Sequence, residues 1–374
     1  MICTEDVFEK YKINPEGFCK ERLNNPSSCT DGQMFPFHIE QKGKLRILHG
    51  TMEIANQMNT MASGLKKLGM TAITLNYYPT YLQYKSDIQI NSAALKDTVL
   101  KDLAAKLIPQ FDVFHLHFGT SLTKDHADLP LLKELNKKVL MQHWGSDVRL
   151  YSQAVARNPY VKVKTANEGA IRRQLEFLSK RIDTCVVCDQ ELYDYVKSYY
   201  SRVAIFPLVI DPKDFAETNA PLPNKKITIV HAPTSPEIKG TSHILKAIEE
   251  LHGDYDFEFV LVKGMAYAQA KEIYRQADVI IDQLLIGSYG MFAIENMAMG
   301  KPVVCWISDY MQDKYPKELP VIRANPDTIK QVLAGLLANR DSLPEIGQQS
   351  RHYVSQYHDI EKYSSQLIDL YKTL

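Results

Sequence analysis

Residues 277–305, ADVIIDQLLIGSYGMFAIENMAMGKPVVC, decide the fold. The run 279–282 is short, β-branched and apolar, as a buried strand requires. The connector 283–290 carries Gly287, Ser288 and Gly290, and 291–299 then takes up helical periodicity with Phe292, Ala293, Met297 and Ala298 available to pack. Gly300 can stop that helix in a left-handed cap, and Pro302 cannot prolong it. Val303 therefore opens the next strand. The predicted unit is strand, glycine loop, helix, strand. A helix start offers unpaired N–H groups and the positive end of the dipole, which suits phosphate oxygens, while glycine lets the backbone come close to a ligand. Glu295, about one turn further in, carries two acceptor oxygens suited to the two hydroxyls of a ribose. An ordinary helix in an α/β core with a surface glutamate has the same spacing, so this pattern alone leaves both readings open.

The pattern extends in both directions. From Lys44 onward strands and helices alternate, the signature of parallel sheets covered on both faces. Expected strands are 45–48, 72–75, 113–116, 139–141, 184–187 and 204–206, with helices at 55–68, 93–108, 168–178 and 191–199. The polar, Pro-rich NAPLPNKK (219–226) marks a boundary. A second alternation begins after it, with strands at 227–230, 258–262, 279–282 and 303–305 and helices at 242–251, 266–275, 291–299 and 328–337. The expected fold class is α/β, two Rossmann-like domains facing a cleft. Residues 1–42 show no sustained period and read as an N-terminal extension. The domains lie at 43–212 and 227–355, joined by a linker at 213–226, and helical periodicity runs from about 344 to the end.

Composition narrows the function classes. Lys+Arg and Asp+Glu are both 44 in 374 residues, so no global charge draws the chain to nucleic acid or to an acidic membrane, although local patches and peripheral membrane association stay open. The N-terminus MICTEDVFEK lacks a basic start followed by an apolar core, and no apolar run is long enough to span a bilayer. The chain reads as cytoplasmic. Six cysteines in this length are no disulfide scaffold. Cys185 and Cys188 fall on a predicted strand whose alternation points them to opposite faces, and Cys3, Cys19 and Cys29 lack the spacing of a zinc site. No G-x-G-x-x-G follows the first strand, which disfavours a dinucleotide-dependent dehydrogenase.

Four histidines, His49, His117, His143 and His231, stand at C-terminal ends of predicted strands, where open α/β sheets bind ligands; they are expected to line one cleft. In LMQHWGSDVRLY (140–151) His143 is followed by Trp144, a stacking face for a sugar ring, and by Asp147 and Arg149. Asp147 and Arg149 can serve a ligand or pair with each other to hold the loop. The first strand ends in a Gly50-Thr51 turn followed by Glu53. In the second half Lys239-Gly240-Thr241 precedes a helix, where a compact ammonium suits a diphosphate because the dipole otherwise disfavours a cation. Lys263-Gly264 follows another strand.

Together these segments resemble GT-B glycosyltransferases of the large retaining group that includes sucrose, mannose and polysaccharide transferases. The match is carried by Tyr289-Gly290, Glu295-Asn296-Met297-Ala298 and Gly300-Lys301-Pro302-Val303. The resemblance implies transfer of a hexose-type sugar from a nucleoside diphosphate sugar to a glycan, lipid-linked or protein acceptor, with retention. It implies Ser288, Tyr289, Gly290, Met291, Glu295, Gly240, Lys263 and Gly264 on the donor, and His143, Lys239 and Asp147 at the reaction centre. Gly50, Thr51, Glu53, Trp144, Arg149 and His117 fall on the acceptor side, and the C-terminal helix, within 356–374, crosses back to the first domain. Two positions depart from the family: Gly287 stands where it has a glutamate, and Thr234 where it has an arginine. A non-catalytic partner or binding subunit and a GT-B nucleotide-sugar epimerase are the alternatives. No Asp-x-Asp follows a strand in the first half, so neither an obligatory metal nor a cofactor beyond the sugar nucleotide is expected.

Overall fold

The computed structural model describes residues 44–215 and 226–374. The extension expected over 1–42, with Cys3, Cys19 and Cys29, and most of the linker expected over 213–226 lie outside the described residues.

Two parallel sheets succeed one another, as the alternation predicts. The first contains β1 (Arg46–Thr51), β2 (Thr71–Asn76), β3 (Ile88–Gln89), β4 (Val113–His117), β5 (Lys138–Gln142), β6 (Thr184–Val187) and β7 (Arg202–Ile205), in the order β3-β2-β1-β4-β5-β6-β7. The second contains β8 (Ile227–His231), β9 (Phe257–Leu261), β10 (Val279–Ile281), β11 (Val303–Cys305) and β12 (Ile322–Arg323), in the order β12-β11-β10-β8-β9. Each order reverses direction beside its first strand, β1 or β8, and such switch points leave a crevice beyond the carboxyl ends of the strands.

Alternation along β1 explains the layering. Leu48 joins Leu75, Phe114, Leu116 and Met141 on one face, while Ile47 joins Met61, Leu65, Val113 and Leu140 on the other. All are fully buried, and each contributes roughly 1.5–3 kcal/mol by leaving water. The second face is closed by the C-terminal helix Ile360–Lys372, which packs Ile360, Leu367 and Tyr371 there. It lies against the helix Gln57–Lys67 so closely that a methyl group at Gly64 would sit 2.3 Å from Ser364 Oγ and 2.5 Å from Ile360. The two chain crossings between lobes run side by side: Ile210 N donates to His358 O (2.8 Å) and Ile360 N to Ile210 O (2.9 Å).

Local differences from the expected elements have simple causes. The edge strands β3 and β12 are two residues long, too short for periodicity to reveal. β1 runs through Thr51, so Gly50 and Thr51 pair with Leu75 and Asn76 of β2 and are strand, not the expected turn. β10 ends at Ile281, which frees Asp282 for the loop. The helix Met291–Ala298 stops where expected, with Gly300 at φ 76° and its N–H on Met297 O at 3.0 Å. Among the described residues no helix is long and apolar enough to cross a membrane.

Candidate functional site

A cleft of about 280 Å³ lies between the lobes, walled by Ile54, Phe118, Trp144, Arg149, Lys162 and Lys164 from the first and by Thr234, Lys239, Gln283, Ser288, Gly290 and Met291 from the second. Its floor is the loop between β10 and the helix Met291–Ala298. Gln283 Nε2 reaches across that loop to Ser288 O (2.5 Å), and Gly290 is the N-cap of the helix. Asp282, fully buried, accepts from Lys239 Nζ at 2.5 Å through Oδ1 and from Gly290 N at 3.4 Å through Oδ2. One carboxylate thus holds the lysine and the helix start side by side. The Lys239 side chain is 15% exposed at the cleft, so it keeps hydrogens free for an anion. Gly240, at φ 79°, turns the chain behind it against Leu284 and Leu285.

The opposite wall is also cationic. Arg149 makes a two-pronged ion pair with Glu191, Nε to Oε1 at 2.7 Å and Nη2 to Oε2 at 2.8 Å. Burial works against the arginine charge, but Glu191 outweighs it and holds the Arg149 pKa above its ordinary value. Arg149 and Asp147 do not pair with each other. Glu191 Oε2 also lies 3.5 Å from Ser288 Oγ across the lobe boundary. Beside it, burial and then the Glu191 charge push Asp189 up to about 6. Lys162 and Lys164 complete this wall. The sequence marks them only by the alternation Val161-Lys162-Val163-Lys164, an extended segment with one basic side.

Tyr289 and Met291 line the cleft but point their ends elsewhere. The Tyr289 hydroxyl lies 3.0 Å from that of Tyr353 and 3.1 Å from His358 Nε2, and Met291 Sδ accepts from Gln57 Nε2 at 3.3 Å.

The histidines expected to line the cleft are turned into the first and second lobes instead. His143 is buried, with Nδ1 2.7 Å from Asp147 Oδ2 and Nε2 2.8 Å from Tyr200 Oη. Asp147 also accepts from the amides of Trp144 and Gly145 through Oδ1, at 3.0 Å each. Both residues are spent on the turn that presents Trp144, which corrects their expected place at the reaction centre. His231 bonds to Ile281 O (2.8 Å) and Thr241 Oγ1 (2.9 Å), and burial pulls it down to about 4. His49 and His117 are buried against each other.

Other expected contacts are displaced as well. Glu53 accepts from the amides of Met58 and Asn59 (3.1 Å each), tying down the start of the helix Gln57–Lys67; burial raises its pKa to about 8. Thr51 Oγ1 donates to Thr120 Oγ1 (2.9 Å). Lys263 and Gly264 are exposed beyond β9, away from this cleft. Glu295 does not line the cleft: it is buried, accepts from Tyr267 Oη at 2.9 Å, and is pushed up to about 7 by that burial. The Tyr267 hydroxyl occupies the place expected for a ribose hydroxyl.

The surroundings of Gly287 explain why a glycine stands where the resembled glycosyltransferases have a glutamate. At φ 88° a Cβ there would sit 2.8 Å from Asn158 Nδ2 and 2.9 Å from Ser308 Cβ. Asn158, from the first lobe, donates to Leu285 O (2.8 Å) and accepts from Trp306 Nε1 (3.1 Å). The space a glutamate would need is filled by this joint between lobes.

No protein-family model matches the sequence, and no curated protein matches it. Solved structures do share its fold. Sucrose-phosphate synthase from Thermosynechococcus elongatus superposes with a TM-score of 0.60 at 13% identity, covering 88% of this chain and 98% of its own. A glycosyltransferase from Rickettsia africae gives 0.60 at 15%, with the same coverage. Anabaena HepE in complex with UDP-glucose gives 0.60 at 11%, covering 88% of this chain and 100% of its own. These are GT-B proteins, and at these identities what the chain shares with them is the two-lobed GT-B fold.

Proposed function

We propose that the chain is a glycosyltransferase that moves a hexose-type sugar from a nucleoside diphosphate sugar to an acceptor hydroxyl. The observation that carries this reading is the pairing of Lys239 with the start of the helix Met291–Ala298 on one cleft wall, facing Arg149, Lys162 and Lys164 on the other. A diphosphate fits between them. Its oxygens meet the amides at Ser288–Met291 and the Lys239 ammonium, and the cations opposite replace the arginine absent at Thr234. HepE, of the same fold, was solved with UDP-glucose, which supports a sugar nucleotide in this cleft.

In the reaction the bond from the anomeric carbon to the leaving phosphate breaks, and the acceptor oxygen bonds to that carbon. The acceptor proton passes to the leaving phosphate oxygen. Attack on the face the phosphate leaves retains configuration and needs neither a covalent enzyme intermediate nor a metal. Trp144 offers its ring to the acceptor or the transferred sugar, and Glu295 takes the ribose once Tyr267 yields its place. Closure of the lobes excludes water. Lys239 and the glycine loop favour catalysis over a purely structural subunit, since Lys239, although paired with Asp282, keeps hydrogens directed at the cleft.

A screen of UDP-, GDP- and ADP-sugars, scoring nucleotide release with and without acceptor extracts, tests the reading. Wild type is expected to release nucleotide from one donor class, dependent on acceptor, and Lys239→Ala and Glu295→Ala are expected to be slower. Release by both variants as fast as by wild type overturns the site assignment; turnover of donor to an isomer without acceptor shifts the reading to an epimerase.

A further inference from the structure

His49 on β1 and His115 and His117 on β4 project from one face of the first sheet. His115 and His117 are two apart on their strand, and His49 is the register partner of His115. All three are fully buried. One ring nitrogen from each lies within 4.8 Å of the others, with His49 Nδ1 3.2 Å from His117 Nε2. The C-terminal helix covers the cluster and adds an oxygen: Tyr371 Oη is 2.8 Å from His115 Nδ1 and 3.4 Å from His49 Nε2.

The hydrogen bonds among these groups do not close. His115 Nε2 and His117 Nδ1 are buried without a partner, and so are Gln142 Oε1, on the residue that registers with His117, and Trp144 Nε1, whose ring stacks on His117. Half of the eight such atoms among the described residues fall in this one patch. Trp144 Nε1 only donates and calls for a water or another acceptor, and His115 Nε2 lies across its ring from the Nδ1 that faces Tyr371, so these atoms mark an incompletely bonded polar patch beside the cluster rather than its ligand atoms. The case for an ion rests on the cluster's own donor set and spacing. Three imidazoles without a carboxylate, two from alternate positions of one strand and one from the strand beside it, make the nitrogen-rich set that zinc-class ions take; a phenol oxygen supplies the fourth corner and the single negative charge.

We propose that His49, His115 and His117, closed by Tyr371 Oη, bind one divalent transition-metal ion of the zinc class. The centre is structural and separate from the cleft chemistry. It pins the C-terminal helix, which arrives from the second lobe, to the sheet of the first. Binding draws the ligand atoms to about 3.4 Å from one another, the edge of a tetrahedron with ~2.1 Å bonds. The His115 and His117 rings, now stacked at 4.4 Å and 14° from parallel, turn toward a common point.

The full chain, stripped with a chelator and titrated with Co2+, tests this. The expected result is one Co2+ per chain, with the visible d–d bands of a tetrahedral ion that Zn2+ abolishes, and a rise in thermal midpoint with either metal. His117→Gln, which keeps a polar group in the patch, is expected to weaken binding roughly 100-fold or more, and Tyr371→Phe to alter the bands. Folded wild type that gives no d–d bands and retains no zinc overturns the proposal, leaving water as the occupant. Bands that persist unchanged in both variants overturn it equally, by placing the ion elsewhere.

Discussion

The carboxyl ends of the strands in the two lobes carry similar inventories of polar side chains and use them in opposite ways. In the first lobe β1 carries His49 two residues before its end, β4 and β5 end in His117 and Gln142, and His143 follows; every one of these is buried. In the second lobe β10 gives way to Asp282, which is as deeply buried, yet its carboxylate holds Lys239 and the Gly290 amide at the cleft. The two lobes differ in the segment after the strand. After β10 comes a glycine-containing loop and then a helix start, so Ser288–Met291 line the cleft and only the Gly290 amide is drawn to Asp282. After β5 comes a tight turn whose amides and histidine are consumed by Asp147. A strand end therefore becomes a site only where the backbone beyond it leaves hydrogen-bonding groups unspent.

Substitutions can break or sharpen this contrast. The largest effect is expected at the joint of the two walls. Arg149→Met leaves Glu191 buried without its cation and should cost about 3–5 kcal/mol in a denaturant titration, most of it recovered by adding Glu191→Gln. Next is Gly287→Glu, which introduces the residue found here in the glycosyltransferases the sequence resembles: a strained backbone and the clash with Asn158 and Ser308 should cost about 2–5 kcal/mol and reduce turnover. A stable, faster variant would show that the joint can open. Lys239→Ala should slow nucleotide release about 100-fold, equivalent to ~2.7 kcal/mol of transition-state stabilisation. His143→Gln should lower stability by about 1–2 kcal/mol while leaving turnover within a few-fold of wild type, since its partners are Asp147 and Tyr200. An equal loss of turnover in both variants would erase the distinction between the lobes.

The smallest effect is in pH dependence. Glu295 and Glu53 have folded pKa values of about 7 and about 8, both raised from 4.5 by burial. The folded chain binds these protons more tightly than the unfolded one. Their contribution to stability is thus full below 4.5, declines as pH rises through about 7 and about 8, and is flat beyond. Thermal midpoints measured across this window should fall less steeply in Glu295→Gln than in wild type.

Much of the fold was legible because parallel sheets write it in alternation: runs such as 279–281 and 303–305 are continuously apolar, and Gly300 and Pro302 end the helix between the last two of the predicted strands. The glycine loop and Lys239 were legible for the same reason, since cap and loop chemistry is local. The partners of His143, Glu53 and Glu295 were not. Tyr200, the amides of Met58 and Asn59, and Tyr267 reach these groups through packing or chain direction that no motif encodes. Gly287 shows the limit most clearly: read alone it is a missing acid, and only Asn158, 129 positions earlier and on the other lobe, gives its reason.

The central claim is that a sugar nucleotide is held at its diphosphate between the two lobes. A crystal structure with a turnover-inert analogue of the donor chosen by the screen tests this most directly. Diphosphate oxygens are expected within hydrogen-bond distance of the amides at Ser288–Met291 and of Lys239 Nζ, with Tyr267 displaced from Glu295 by the ribose. A ligand bound outside this cleft, or one whose diphosphate touches neither the loop nor Lys239, would contradict it.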